Sequence, residues 1–407
     1  LTEEECEKIV RKATNAENVK ISKVKIDNFG SYLGFLGEYF QLEIEARVDD
    51  DKRDFKFFLK SLPVTDLKQR KMLIETGIFK KEVKLYETLI PELAGFTSND
   101  YRWCPKAFLT RDDLLVLDDL SLDGYKIFPF QFKFSQSHVE VTLKALASFH
   151  CSSIVYEKNH QNEGKSINDK YGEDFFETSV CDITWFHAGL KAIYDIALNE
   201  TNFGKTQTEL IKASFYEKIF GIIENMENSP HGVPLVFTHR DVWCNNLMFK
   251  LDENSNPIHC VLIDFQTARY LALTVDVVMA IICTTRREHH EKLFDYYSHF
   301  YYGHLKTYLE KFSINLNTIM TPENFFKGCD YHKTYGLVYN VIVLMITMMP
   351  REYFVDFSED QFRDFAEGNR SKFVLDYIQK DPFYKECLVE AVEAVVDHFY
   401  KLPENLL

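Results

Sequence analysis

Three side chains with the chemistry of phosphoryl transfer lie close together in the sequence. Asp241 and Asn246 belong to the pattern His-x-Asp-x-x-x-x-Asn, which starts at His239, and Asp264 follows the apolar segment Leu262-Ile263. Transfer of a phosphoryl group from ATP requires an Asp that orients or deprotonates the acceptor hydroxyl, and an Asn and a second Asp that hold Mg²⁺ against the phosphates. Asp241, Asn246 and Asp264 supply these groups in that order.

Two upstream side chains complete a pattern that no single residue carries. An Asp in a loop is usually a turn or capping residue, and a lone Lys–Glu pair is usually a surface salt bridge. Lys60 at a strand end and Glu82 on a following helix, with the motif and the second Asp downstream, give the order that an ATP-dependent kinase requires. Phosphates and water complete the shell of Mg²⁺, so the pattern implies ATP and Mg²⁺ without His or Cys ligands.

Hydrophobic periodicity predicts the elements that must position these groups. Residues 39–48 alternate apolar and polar side chains, which is typical of a half-buried antiparallel strand, and residues 55–60 alternate again as its hairpin partner, with the lysine at the end. From Phe79 the apolar spacing becomes helical, and Pro91 is expected to stop that helix. Glu82 therefore lies on a helix that follows the hairpin.

The composition of the chain changes after a short apolar strand at 114–117. Strands dominate before this point, and long aromatic-rich helical stretches follow it, interrupted by one β segment between 235 and 263 that contains the motif. We therefore predict an α+β fold of two lobes. Residues 1–117 form an antiparallel β-rich N-lobe, and residues 118–407 form a mostly helical C-lobe.

The overall composition is that of a globular acidic protein. The chain has 407 residues, of which 46% are hydrophobic and 15% aromatic, and its formal net charge is −15. Such a chain can bury ample apolar surface, so disorder is excluded as its main state. Nucleic-acid binding is not expected because it needs a basic face. The longest apolar run, Val341 to Pro350, is much shorter than the roughly 20 residues that span a bilayer, so no membrane span is predicted.

The cysteines and the N-terminus favour a cytoplasmic location. Nine cysteines are scattered along the chain without a Cys-x-x-Cys pair, which fits reduced thiols better than a disulfide or zinc framework. The sequence begins Leu-Thr-Glu-Glu-Glu-Cys-Glu-Lys, without Met and without the apolar region of a secretory signal. We therefore expect a cytoplasmic protein.

Several segments together resemble a branch of the kinase superfamily. This branch contains choline kinases, aminoglycoside phosphotransferases and, most similar to this chain, the insect ecdysteroid kinase-like proteins with a CHK kinase-like domain. The resemblance covers nearly the whole chain, and the segments that carry it are Gly34-Phe35-Leu36-Gly37-Glu38, Phe58-Leu59-Lys60-Ser61-Leu62-Pro63, Phe79-Lys80-Lys81-Glu82-Val83-Lys84-Leu85-Tyr86, Leu117-Asp118-Asp119-Leu120, Leu146-Ala147-Ser148-Phe149-His150, Asn245-Asn246-Leu247-Met248-Phe249 and Ile263-Asp264-Phe265-Gln266. The doubled Asn, and Asp-Phe-Gln in place of Asp-Phe-Gly, separate this branch from protein kinases.

The resemblance implies a bilobal protein kinase-like fold and a role for each residue of the pattern. Asp241 would be the catalytic base. Asn246 and Asp264 would bind Mg²⁺, and Lys60, held by Glu82, would grip the α- and β-phosphates of ATP.

The same resemblance assigns the remaining contacts to ATP. Gly34 and Gly37 would belong to the glycine loop that covers the phosphates, although this loop does not read Gly-x-Gly-x-x-Gly. Leu117, Asp118 and Leu120 would form the hinge where backbone groups meet adenine.

Three further residues affect the conformation of the loop that contains the motif. His239 would support the catalytic loop. Asp276 would buttress that loop. An equally good explanation is that Asp276 only stabilises the N-terminus of a helix with its negative charge. Arg240 stands where this branch usually has Gly, so its side chain must be accommodated in a close-packed loop.

The resemblance implies a small-molecule acceptor with a hydroxyl group, and we infer no obligate protein partner. Aromatic residues are frequent in the region expected to bind it, namely Phe175, Phe176, Trp185, Phe186, Tyr194, Tyr296, Tyr297, Phe300, Tyr301 and Tyr302. Aromatic walls suit a flat, ecdysteroid-like alcohol, whereas ordinary helix packing explains the same residues. A choline- or ethanolamine-type kinase and a non-catalytic, nucleotide- or lipophile-binding pseudokinase remain alternatives.

Overall fold

The computed structural model of the chain describes residues 1–29, 37–49, 51–65, 67–97, 101–128, 134–160, 166–172, 183–223, 229–354 and 356–400. The strands are β1 (Val19–Asn28), β2 (Glu38–Val48), β3 (Asp51–Ser61), β4 (Ala107–Arg111), β5 (Leu114–Asp118), β6 (Tyr125–Ile127), β7 (Leu235–Thr238), β8 (Leu247–Leu251), β9 (Pro257–Leu262) and β10 (Arg269–Ala272). The helices are α1 (Glu3–Thr14), α2 (Leu67–Thr76), α3 (Ile78–Glu87), α4 (Leu89–Ala94), α5 (Gln136–His160), α6 (Ile167–Tyr171), α7 (Thr184–Asn199), α8 (Lys205–Ile223), α9 (Thr274–Ile282), α10 (Arg287–Glu310), α11 (Pro322–Thr347), α12 (Glu359–Glu367), α13 (Arg370–Ile378) and α14 (Pro382–Tyr400).

The N-terminal part is one antiparallel sheet in the order β1-β2-β3-β5-β4. The alternation that predicted β2 and β3 is visible in their burial, because Leu42, Ile44 and Leu59 point into an apolar cluster with Ile9 and Val10 of α1. Helix α1 therefore covers one face of the sheet. The sequence patterns identified β2 and β3 but did not predict α1 or β1.

The opposite face of the sheet shares its core with the rest of the chain. Leu115 and Leu117 of β5 and Phe79 of α3 belong to the same buried cluster as residues of the helices α5, α9 and α11. This continuous core fixes α3 relative to the C-terminal part. The strand–helix boundary proposed between 117 and 118 falls within β5, and the division into two domains stays a prediction.

One prediction about the helix that carries Glu82 is wrong. Helix α3 ends at Glu87, before Pro91, and Pro91 lies in the first turn of the next helix, α4. A proline is tolerated there because the first backbone N–H groups of a helix have no intrahelical partner. Glu82 lies on α3 as expected.

The motif residues lie on connections between short strands. Strand β7 leads into the loop that begins at His239, and β8 and β9 form an antiparallel pair in which Leu247 faces Leu262. Strand β10 pairs with β7 and follows the segment after Asp264. Asp241, Asn246 and Asp264 therefore come to the same edge of this β segment.

Two negative findings apply to the described part of the chain. Each of its helices is too short or too polar to cross a bilayer. Its eight cysteines are buried free thiols, and Cys181 lies outside the described residues.

Candidate active site

Lys60 bridges two carboxylates at the end of β3. Its Nζ lies 2.6 Å from Glu82 Oε2 and 3.0 Å from Asp264 Oδ1. Only 4% of Lys60 and 1% of Glu82 are exposed. Burial lowers the pKa of Lys60, but the charges of Asp264 and Glu82 outweigh this effect and hold the pKa above its ordinary value. Lys60 is therefore a firmly held cation.

Glu82 connects the lysine to the segment that carries Asp264. Its second oxygen, Oε1, accepts the backbone N–H of Phe265 at 3.1 Å. Burial raises the pKa of Glu82, and the Lys60 charge opposes that rise. Helix α3 is thereby joined to both β3 and the chain after β9.

Gly37 lies directly over the buried lysine. Its φ is +151°, and a Cβ at this position would lie 3.3 Å from the carbonyl oxygen of Ser61 and 3.7 Å from Lys60 Cε. A residue without a side chain is therefore favoured where the chain enters β2. Gly34 lies outside the described residues.

Asp276, on the first turn of α9, binds the backbone of the motif loop. Its carboxylate accepts the N–H groups of His239 and Arg240, each at 2.7 Å, and it is fully buried. His150 Nε2 lies 3.1 Å from the same carboxylate, and His150 Nδ1 lies 2.6 Å from the Tyr301 hydroxyl. A buried network from α5, α9 and α10 thus holds the start of the loop.

His239 ties the loop to the segment that leads to Asp264. Its Nδ1 accepts the backbone N–H of Asp241 at 3.3 Å, so Nε2 is the protonated nitrogen and donates to the Ile263 carbonyl at 2.9 Å. The Ile263 N–H in turn donates to the Asn246 carbonyl at 3.0 Å. The two halves of the sequence pattern are thereby held side by side.

Both carboxylate oxygens of Asp241 accept hydrogen bonds. Asn246 Nδ2 donates to Oδ2 at 2.8 Å and to the Asp241 backbone carbonyl at 2.9 Å, and the Tyr339 hydroxyl donates to Oδ1 at 2.9 Å. Burial raises the pKa of Asp241, and the neighbouring Asp264 adds to the rise. Its hydrogen bonds from Tyr339 and Asn246 offset part of it.

Asn246 and Asp264 have the donor atoms for a shared hard cation. The amide nitrogen of Asn246 is committed to Asp241, so its amide oxygen is the atom left for a ligand, and Asp264 has a second carboxylate oxygen beside the one that contacts Lys60. In the described ranges no three His, Cys, Asp or Glu side chains group to hold a metal unaided. Two protein oxygens fit Mg²⁺, whose remaining ligands are phosphate and water.

The side chains of the predicted hinge are engaged within the protein. Asp118 pairs with Arg102 and accepts the Lys106 N–H at 2.7 Å, and its own N–H donates to the Lys106 carbonyl at 3.0 Å. Leu117 lies in β5, and Leu120, 4% exposed, begins a single 3₁₀ turn. Their contact with adenine stays a prediction that concerns the backbone.

Four of the eight described aromatic residues that were predicted near the acceptor are buried in the core. Phe186, Tyr297 and Tyr301 are completely buried, and Phe175 and Phe176 lie outside the described residues. Trp185 is half-buried, and its ring centroid lies 6.4 Å from that of Tyr339.

Sequence reasoning missed Tyr339, which contacts the proposed base. It lies within the apolar stretch of α11 and belongs to no motif. A tyrosine in such a stretch predicts only core packing, so no sequence signal marked it.

The antiparallel sheet followed by a mostly helical part confirms the predicted α+β, bilobal kinase-like fold. The family model of the ecdysteroid kinase-like family matches residues 28–314. The chain belongs to the ecdysteroid kinase-like family. This membership supports the broader functional prediction, a kinase that acts on small molecules.

Three solved structures are similar to this chain. A Plasmodium vivax ethanolamine kinase is 9% identical, with a TM-score of 0.38 over 89% of this chain and 84% of that one. A streptomycin–ATP–APH(2″)-IIa ternary complex is 16% identical, with a TM-score of 0.41 over 87% and 94%. A microcompartment-associated aminopropanol kinase is 10% identical, with a TM-score of 0.43 over 91% and 97%. No curated protein matches the chain.

Proposed function

We propose that this chain is an ATP- and Mg²⁺-dependent kinase that phosphorylates a hydroxyl of a small molecule, an ecdysteroid-like alcohol or a related hydroxylated metabolite. One observation carries the proposal. The buried Lys60–Glu82 pair reaches Asp264 at 3.0 Å, while His239 and Ile263 hold the Asp241 loop beside the same segment. A phosphate-binding cation, two metal-type oxygens and a base are thereby gathered in one place.

The residues divide the reaction between them. Asp241 orients the acceptor hydroxyl and takes its proton at a carboxylate oxygen as the hydroxyl oxygen attacks the γ-phosphorus of ATP. The bond between the γ-phosphorus and the β–γ bridging oxygen breaks, and ADP leaves with its electron pair. Lys60 binds the α- and β-phosphates as a fixed charge, and Glu82 keeps its ammonium in place. Asn246 and Asp264 would hold Mg²⁺, which neutralises phosphate charge when it is bound.

The choice of acceptor rests on the family. The family's description supports an ecdysteroid-like alcohol, and the half-buried Trp185 beside Tyr339 offers an aromatic surface near Asp241. A flat apolar body with hydroxyl groups suits such a surface.

The proposal is tested with purified protein, ATP and Mg²⁺ against ecdysteroids, choline, ethanolamine and hydroxylated plant metabolites, with phosphorylated products followed by mass spectrometry. Asp241→Asn is the control. We expect a product from the ecdysteroid class that the control lacks. A product from choline or ethanolamine would establish the alternative kinase, and ATP binding without any product would favour a non-catalytic protein.

A further inference from the structure

Arg370, the first residue of α13, is a buried cation without an acidic partner among the described residues. Its side chain is fully buried. Nε donates to the Phe365 carbonyl at 3.1 Å and Nη2 to the Ala366 carbonyl at 2.8 Å, whereas Nη1 has no hydrogen-bond partner in the described part of the chain. Buried charges are normally paired because their desolvation is costly. The C-terminal carbonyls of α12 compensate this charge only in part.

The charge lies next to an aromatic ring that neighbours a contact of the proposed base. The guanidinium carbon of Arg370 lies 5.4 Å from the centroid of the Trp185 ring. The Trp185 ring neighbours Tyr339, whose hydroxyl donates to Asp241. Arg370, Trp185, Tyr339 and Asp241 therefore form a continuous series from a buried cation to the catalytic carboxylate.

The packing around the guanidinium is specific. A Cβ on Gly189 of α7 would lie 3.2 Å from Arg370 Nη1 and 2.7 Å from Ile342 Cγ1 of α11. A side chain at 189 would thus displace the side chain of Ile342 and crowd that of Arg370. The absence of a side chain lets α7, α11 and α13 meet around the cation.

Arg370 keeps its charge at neutral pH. Burial lowers its pKa to about 10, which is still well above neutrality. The ring of Trp185 already faces one cation, and aromatic faces bind a quaternary ammonium through the same negative potential. A second cation on this surface would be repelled by the first. For two like charges roughly 10 Å apart at an effective dielectric constant of about 20, the repulsion lowers the affinity for the second cation about tenfold.

We propose that Arg370, acting through Trp185, makes the acceptor site select uncharged alcohols over cationic ones. The inference rests on the proposed function, because it concerns the acceptor of that reaction. Arg370 is a positioning residue, since its buried side chain reaches the acceptor only through the Trp185 ring. A neutral hydroxylated acceptor is expected, and choline- or ethanolamine-type acceptors are disfavoured.

The test compares choline with 3,3-dimethylbutan-1-ol, its neutral isostere, in which carbon replaces the charged nitrogen. Binding of both to the full chain is measured by calorimetry in the presence of Mg²⁺ and a non-hydrolysable ATP analogue, so that neither alcohol is phosphorylated during the titration. We expect the neutral alcohol to bind the wild type at least about tenfold more tightly than choline. Equal or tighter binding of choline, or no binding of the neutral alcohol, would overturn the proposal.

Two variants separate charge from packing. Arg370→Met removes the charge at similar length and should shift the affinity ratio about tenfold towards choline, whereas Arg370→Lys keeps the charge and should keep the ratio. An unchanged ratio in the Met variant contradicts the proposal. If that variant does not fold, the wild-type and Lys ratios decide. Failure of the proposed function would be seen separately, as absence of any phosphorylated product.

Discussion

Tyr339 donates its phenolic hydrogen bond to Asp241 Oδ1 at 2.9 Å, across 98 positions of the sequence. Asn246 donates to the other carboxylate oxygen at 2.8 Å. Both donors favour the charged carboxylate and so counteract the rise in its pKa that burial causes. The proposed base is therefore adjusted by a residue of α11 that lies outside the motif.

Replacing Tyr339 by Phe should make activity more sensitive to acid. Without the hydroxyl the pKa of Asp241 rises further. Because a base must be deprotonated to act, the variant should lose activity at a higher pH than the wild type does when the pH is lowered. We expect the acid limb of kcat/KM to move upwards by about one pH unit. The pH profile measures this shift.

Tyr302→Phe is the matched control for this prediction. The Tyr302 hydroxyl donates to Asn317 and to the Met320 carbonyl, each at 3.0 Å, away from the motif loop. Its removal should leave the acid limb in place. Coincident limbs for Tyr339→Phe and the wild type would show that Tyr339 does not set the pKa of the base.

Asp241→Asn should abolish most turnover while ATP still binds. The amide cannot take the acceptor proton, and a general base contributes roughly 10²–10⁴-fold to rate. Lys60 and Asp264, which face the nucleotide in the proposed reaction, are unchanged. Turnover and ATP binding are measured separately, with Asp376→Asn, an exposed residue paired with Lys380, as control. Near-normal turnover would remove Asp241 from its proposed role.

The elements around the lysine were predictable because their patterns are local. Strict alternation of apolar and polar residues in β2 and β3 predicts a sheet with one buried face, and the helical spacing of apolar residues from Phe79 predicts α3. The resemblance then predicted that Glu82 holds Lys60, but no pattern predicted a contact between Lys60 and Asp264. The structure brings Lys60 to both Glu82 and Asp264.

The contacts made by the long helices were not predictable in the same way. Tyr339 and Arg370 are surrounded in sequence by apolar or charged residues that give no motif, and their partners are set by how α7, α11 and α13 pack. The predicted stop at Pro91 failed for a related reason, because a proline can equally begin the next helix. Tertiary packing decides such positions.

Lys60→Met should weaken both ATP use and folding stability. It leaves the buried Glu82 and the neighbouring Asp264 without their cation, and breaking a buried ion pair costs about 3–5 kcal/mol. Because burial raises the pKa of Glu82, protonation relieves the unpaired charge, so the loss of stability should shrink as pH falls through that pKa. Denaturant unfolding at several pH values measures this loss.

Lys56→Met is the control on the same strand. Lys56 is 44% exposed and pairs with Glu43 on the sheet surface, so its loss should cost less than about 1 kcal/mol. The kcat/KM for ATP should fall roughly 10²-fold in Lys60→Met only. Equal effects of the two variants would contradict a special role for the buried lysine.

Arg240 has a left-handed backbone, and this predicts a stability difference between two small substitutions. Its φ is +64°, and its N–H is held by Asp276 Oδ1 at 2.7 Å. Arg240→Gly and Arg240→Ala both remove the guanidinium and its methylene chain, and they differ only in the Cβ that restricts the backbone of alanine. A left-handed conformation destabilises a residue with a Cβ by about 1–2 kcal/mol. Glycine avoids this strain, but its greater flexibility in the unfolded chain offsets roughly half of that advantage. We therefore expect Arg240→Gly to be the more stable by about 0.5–1 kcal/mol in urea unfolding; equal midpoints at equal slopes would show that the loop relaxes out of this conformation.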